Sequence, residues 1–173
     1  MDVEEGLDTG GVHAVAEVPI EAGTTAAELR ETLTEVGTGL MVDVLAQPLA
    51  ASEPQSAEGV TYAEKLTTED LHLDWFQPAA QLARVVAVGG AWTTLEGRRL
   101  KVLQARALDA DEMVGAEGVS GREVRPGELV DKVVLCGEGA LELSSVQPEG
   151  KGPMAADAFL RGARIGPDTR LGT

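Results

Sequence analysis

Aromatic side chains are scarce: two Trp, two Phe and one Tyr, 3% of 173 residues. A core must therefore be built from Leu, Val and Ala, and Trp75 and Trp92 are expected to anchor it. Cysteine occurs once, at Cys136, which excludes an internal disulfide and fits a reducing compartment. Two distant histidines, His13 and His72, with one cysteine do not make a zinc cluster, so no metal site is expected. No phosphate-binding loop and no Ser-His-Asp pattern occurs. No apolar run approaches the roughly 18 residues of a membrane span, and no basic-then-apolar leader opens the chain. A cytoplasmic location without membrane partners is expected.

Positive charge is almost missing from the first third. Residues 1–60 carry 12 acids and a single base, Arg30, whereas 61–173 carry 17 acids and 13 bases. The net charge of −15 argues against non-specific nucleic-acid binding, and DNA is not an expected partner. The bases crowd into the second part, so a local basic patch there stays open beside the plainer reading of a solvated mixed surface.

The pattern of residues divides the chain. His13–Ile20 alternates as a strand does and ends at Pro19. Thr25 with Glu28 forms a capping box, and Leu29, Leu33, Val36, Leu40 and Val44 recur at helical spacing up to Pro48. Residues 48–60 have linker composition, so 1–47 and 61–173 are read as separate domains. Beyond the linker, Pro78 opens a short helix with a Leu82, Val85, Val86 stripe. Ala91–Leu95 and Arg98–Leu108 read as strands joined at Glu96-Gly97, and Lys132–Cys136 and Ala140–Val146 as a second pair. Asp109–Gly127 reads as a long polar loop, Ala155–Gly162 as a closing helix, and the tail as irregular. Short strands with tight turns point to a small β-barrel.

Four segments together carry a family resemblance. They are Gly6-Leu7-Asp8-Thr9-Gly10; Tyr62-Ala63-Glu64-Lys65-Leu66-Thr67 running on to Asp74-Trp75; Gly89-Gly90-Ala91-Trp92-Thr93 with its hairpin; and Gln147-Pro148-Glu149-Gly150-Lys151 followed by Phe159-Leu160-Arg161-Gly162. In this order they resemble the methionyl-tRNA formyltransferases. The resemblance implies that 1–47 is an α/β remnant, a strand and helix of a Rossmann-like formyl-transfer domain. It implies that 61–173 is an OB-like tRNA-binding barrel with short helices. The family moves a formyl group from 10-formyltetrahydrofolate to the amino group of methionyl initiator tRNA. On this resemblance Asp8 is the catalytic aspartate, a carboxylate suited to managing the proton lost by an attacking amine.

The same resemblance places the family's catalytic asparagine and histidine, and its folate-contacting segment, upstream of residue 1. The expectation is therefore a chain that binds no folate and transfers no formyl group alone. The basic set Arg84, Arg98, Arg99, Lys101, Arg106 and Lys151 is expected to contact tRNA phosphates, with Arg99 and Lys101 on one face of their strand and Arg98 on the other. A monomer is expected. Two other readings remain: a free-standing tRNA-binding module, and part of a related folate-dependent formyltransferase.

Overall fold

The computed structural model describes residues 1–108, 112–113, 125–163, 166 and 169–173. The polar loop expected over Asp109–Gly127 falls mostly outside the described residues. The chain forms two compact units, Met1–Lys65 and Leu66–Thr173.

The first unit is built around helix α1, Ala26–Leu45. Its start follows from the capping box. The Thr25 hydroxyl accepts the Glu28 N–H at 3.2 Å, and the Glu28 carboxylate accepts the Thr25 N–H at 2.8 Å. The Thr25 N–H foremost, and then the Thr25 hydroxyl donating to the same carboxylate at 2.8 Å, hold the Glu28 carboxyl below its ordinary range. Gly37 and Gly39 lie within the helix without interrupting it. No residue of α1 is buried: Leu29, Val36, Leu40 and Val44 are half-buried, while Leu33, Met41, Val42 and Leu45 are exposed.

The strand expected at His13–Ile20 does not form. Val12 pairs with Glu53 in an isolated antiparallel bridge, and 13–20 are irregular. A strand persists only where a neighbour takes its N–H and C=O groups. Among the described residues of this unit only the stretch around Glu53 offers one, and Pro19 has no N–H to give.

The second unit opens with a 3-10 turn, Glu69–Leu71, and helix α2, Ala79–Val88. Pro78 stands just outside α2 as its cap rather than at the first helical position. Ala79, Leu82 and Val86 are buried beneath the helix. Among the described residues six strands follow: β1 Trp92–Leu95, β2 Arg98–Leu108, β3 Leu129–Val130, β4 Val133–Leu135, β5 Ala140–Pro148 and β6 Met154–Ala155. Helix α3, Ala156–Gly162, closes the series.

Strands β1 and β2 meet at Glu96-Gly97, both left-handed with φ of 50° and 72°, the geometry a two-residue hairpin needs. The sheet is antiparallel in the order β1-β2-β5-β4-β3, with β6 on β5. Register shifts lie between Val102 and Gln104 and between Gln104 and Ala105 of β2 against β5. Bulges of this kind bend a strand pair. Before the bend Leu100 and Val102 point inward; after it Ala105 and Ala107 pack against the core.

Among the described residues the sheet is open as a strand path, with β1 and β3 as its edges, so strand pairing does not complete the small barrel expected. The C-terminal tail lies across the gap. Leu171 bridges Leu95, and Arg170 bridges Glu128. The N–H of Gly172 reaches the carbonyl of Thr94 at 2.8 Å, and that of Leu129 reaches Thr169 at 3.0 Å. Leu171 is buried in the main core. The tail is therefore an ordered part of the sheet's seam, not a loose end.

The core joins α2, the inner faces of β2, β4 and β5, and Trp75. Trp75 is buried, and its indole N–H donates to the Thr93 hydroxyl at 3.0 Å. Thr93 is itself fully buried. Thr93→Val should leave that N–H unsatisfied and cost about 1–3 kcal/mol in urea-unfolding free energy. An unchanged unfolding midpoint would show that the bond contributes nothing net. Hydrogen exchange should show slow amides in β2, β4 and β5 and fast amides throughout α1, whose apolar stripe is largely uncovered. Equal protection in both units would contradict this picture.

Candidate nucleic-acid interface and the Asp8 loop

Asp8 adopts a left-handed conformation with φ of 57° and is exposed. The carbonyls of Asp8 and Gly10 both accept from the Gln55 amide at 2.8 Å. Gly10 is buried, and a Cβ there would lie 2.0 Å from the Asp2 carbonyl oxygen. Only glycine fits that approach, which explains the second glycine of the motif. The stretch expected to be a linker thus folds back onto this loop through Glu53 and Gln55.

Beside the loop sits a cluster that sequence reasoning missed. The His13 ring faces the Asp2 carboxylate through Nε2 at 2.8 Å and the Ala50 carbonyl through Nδ1 at 3.1 Å. Hydrogen bonds from Ser52 and then His13 lower the Asp2 carboxyl. Here the carboxylate is the middle member between the hydroxyl and the imidazole. It therefore leaves the serine without a base, and the cluster is a staple between residues 2, 13 and 52. No local spacing signals it, because its members are brought together by the fold.

The predicted basic residues separate by environment. Arg106 is engaged: it meets Glu112 at 2.6 Å and Glu142 at 2.7 Å, and Lys132 meets Glu142 at 2.9 Å. The Glu112 hydrogen bond is the main reason that the Arg106 guanidinium is raised above its usual value. The Lys132 hydrogen bond, followed by the Arg106 charge, lowers the Glu142 carboxyl. Arg98 stands 4.0 Å from Glu149, a loose exposed pair. Arg84 lies on the outward side of α2, on a different element from the hairpin.

Arg99 and Lys101 are exposed on β2, and among the described residues no carboxylate pairs with either. Lys101 sits opposite Trp92 on β1 and Gln147 on β5. The Gln147 amide donates to the carbonyl of Lys151 at 3.0 Å, which fixes the Lys151 turn beside that row. The structure thus gathers Arg99, Lys101 and Lys151 at one end of the sheet and leaves Arg84 and Arg106 elsewhere.

The two tryptophans differ. Trp75 is the core anchor expected of it. Trp92 is half-buried on the outer side of β1, its indole N–H bound to the Thr68 carbonyl at 2.8 Å, so it is a surface residue rather than a core one. His72 lies 4.5 Å from it, ring to ring, and the Arg99 guanidinium stands 4.3 Å over its face. Cys136 is fully buried, and burial pushes its thiol up to about 12, which makes it an inert packing group. Among the described residues no three His, Cys, Asp or Glu side chains converge as a metal site, and no helix is long and apolar enough to cross a membrane.

Among the described residues the chain shows a small antiparallel sheet with helices and an exposed hairpin that carries Arg99 over Trp92. Comparison with known proteins places it further. Residues 65–164 match the family model described as the formyl transferase, C-terminal domain, and the chain belongs to that family. It is 39% identical over 179 residues to the methionyl-tRNA formyltransferase of Gluconacetobacter diazotrophicus, covering 100% of this chain and 55% of that one. A Methylobacterium methionyl-tRNA formyltransferase is 44% identical over 184 residues, covering 99% and 56%. The chain therefore spans about half the length of the curated relatives it matches. Among solved structures, HypX from Aquifex aeolicus in complex with tetrahydrofolic acid aligns with a TM-score of 0.63 at 18% identity, covering 91% of this chain and 28% of that one. A multiply substituted HypX variant aligns at 0.65 and 17%, covering 93% and 29%. These two likenesses concern the fold.

The Arg106–Glu142–Lys132 network carries a pH signature. Because the Glu142 carboxyl is lowered in the folded state, its contribution is complete above the ordinary carboxylate range and is lost as pH falls through the lowered value. Glu142→Gln should therefore be less stable than the native chain at pH 7, and the gap in urea midpoint should narrow as pH falls below the ordinary carboxylate range. A gap independent of pH would show that the charge on Glu142 is not what matters.

Proposed function

We propose that this chain is the C-terminal half of a methionyl-tRNA formyltransferase, supplying the catalytic aspartate Asp8 and an OB-like domain that holds initiator tRNA. The observation that carries the reading is a coincidence of position. The family match over 65–164 encloses the exposed Arg99, Lys101 and Lys151, which lie at one end of the sheet with no acidic partner among the described residues. The tail that spans the sheet's open edge supports the OB-like description, since it brings the five-strand path near closure.

In the complete reaction the amino group of the methionyl ester would bond to the formyl carbon as the bond from that carbon to the folate nitrogen breaks, and the proton shed by the amine would pass to the departing nitrogen. A carboxylate at Asp8 suits the relay of that proton. It does not suffice. Asp8 stands exposed, and the grooves along α1 are lined by residues such as Leu29, Arg30 and Leu33 rather than by Asp8. The residues present do not build a folate pocket around it, so no step is routed through the folate. The resemblance calls for an asparagine and a histidine that no position of this sequence matches. The role of this chain is to hold RNA and to contribute one acid, acting in the cytoplasm as a single copy.

Two measurements test the reading. The purified 173 residues should bind initiator tRNA at low salt and lose affinity steeply as salt rises. Given 10-formyltetrahydrofolate and methionyl-tRNA, they should show no formyl transfer. Absence of binding at low salt would remove the RNA-holding role, and measurable turnover would remove the claim that the active site is incomplete.

A further inference from the structure

Arg99 differs from the other bases of the second unit in how it is held. Its guanidinium stands 4.3 Å over the Trp92 ring. The ring is itself immobilised three ways. Its N–H donates to the Thr68 carbonyl at 2.8 Å, the Trp92 backbone carbonyl accepts from Leu73 at 2.8 Å, and His72 lies against it at 4.5 Å. A guanidinium stacked on a fixed ring has lost much of its rotamer freedom before any ligand arrives. Its N–H edge, by contrast, has no carboxylate to satisfy it among the described residues. The other two hairpin-end cations, Lys101 and Lys151, are compact ammonium groups on flexible stems.

We infer that Arg99, oriented by Trp92, is a preset fork that grips one backbone phosphate of the bound RNA, with Trp92 as its positioning residue. The inference rests on the RNA-binding reading and names the group at that site that fixes the register of the RNA. Chemistry selects phosphate. A planar guanidinium with both outward N–H groups unsatisfied matches two phosphate oxygens at once, and Lys101 and Lys151 add charge beside it. A residue acting only as a diffuse charge would need no stacking ring, and lysine would replace it. A fork held in one plane would not tolerate that exchange.

The test uses the 173-residue chain and fluorescein-labelled initiator tRNA, with affinity read by anisotropy across a salt series. Arg99→Lys should weaken binding by roughly three- to tenfold although it keeps the charge. Arg30→Lys, on the exposed face of α1 in the first unit, should stay within about twofold. Arg99→Ala should weaken binding further and reduce the slope of log affinity against log salt by roughly 0.7–0.9, one phosphate's worth. Trp92→Leu should resemble Arg99→Lys, and Trp92→Phe, which keeps a ring face, should recover most of the loss. Arg99 is exposed, so its variants keep the test open even if Trp92→Leu folds poorly. Native-like affinity for Arg99→Lys would overturn this inference and leave the RNA-binding reading standing. An unchanged salt slope for Arg99→Ala would overturn the phosphate assignment. Failure of the unsubstituted chain to bind at the lowest salt would overturn both.

Discussion

The second unit depends on one buried polar contact, the indole N–H of Trp75 on the hydroxyl of Thr93. Burying an indole supplies a large apolar surface, but its N–H must be satisfied inside. Thr93 does this from β1, which fixes β1 against the segment that precedes α2. The rest of the surroundings then follow the ring. The Trp75 carbonyl accepts the Gly137 N–H at 2.8 Å, tying in the β4–β5 turn. A Cβ on Gly172 would lie 3.1 Å from the ring, so the tail passes close over it. A Cβ on Gly137 would lie 1.9 Å from the Phe76 carbonyl oxygen, so that position admits glycine alone. One side chain thus determines where β1, the β4–β5 turn and the tail meet.

The first unit has no comparable centre. Its helix begins well because the capping box is local and needs nothing distant. Past that point its apolar stripe finds little to cover it, and no residue of α1 is buried. Helices of this length draw most of their stability from such packing. The contacts that do hold the unit, Asp2 with His13 and Gln55 with the Asp8 loop, are polar and near the surface. The contrast between the units is one of energetics: a dry apolar core in one, a hydrogen-bonded wrapping in the other.

What the sequence revealed follows the range of the forces involved. The capping box at Thr25, the Glu96-Gly97 turn and the Leu82–Val86 stripe are set within a few residues and were legible. The family likeness was legible too, from four motifs in order. The bend in β2 was not, although Val102-Leu103-Gln104-Ala105 breaks the inside–outside alternation there; the break has meaning only against β5. The pairing of Arg106 with Glu142 depends on strand register, so Arg106 looked like a free cation. Trp92 looked like a core residue because aromatics are rare, yet its neighbours across the sheet, Lys101 and Gln147, are polar. His13–Ile20 alternates like a strand but lacks a partner. Leu171 reads in the sequence as part of an irregular tail, because the gap that it fills exists only once the sheet is formed.

The RNA site proposed for this chain is the hairpin end of the second unit, at Arg99, Lys101 and Lys151. A two-dimensional amide NMR titration of the isotope-labelled chain with initiator tRNA, with both indole N–H signals resolved, reads it residue by residue. The Trp92 indole and the amides of 92–101 and 147–151 are expected to shift together, while the Trp75 indole, buried in the core, stays in place. Shifts confined to residues 1–65, or a Trp75 signal that moves while Trp92 does not, would contradict it.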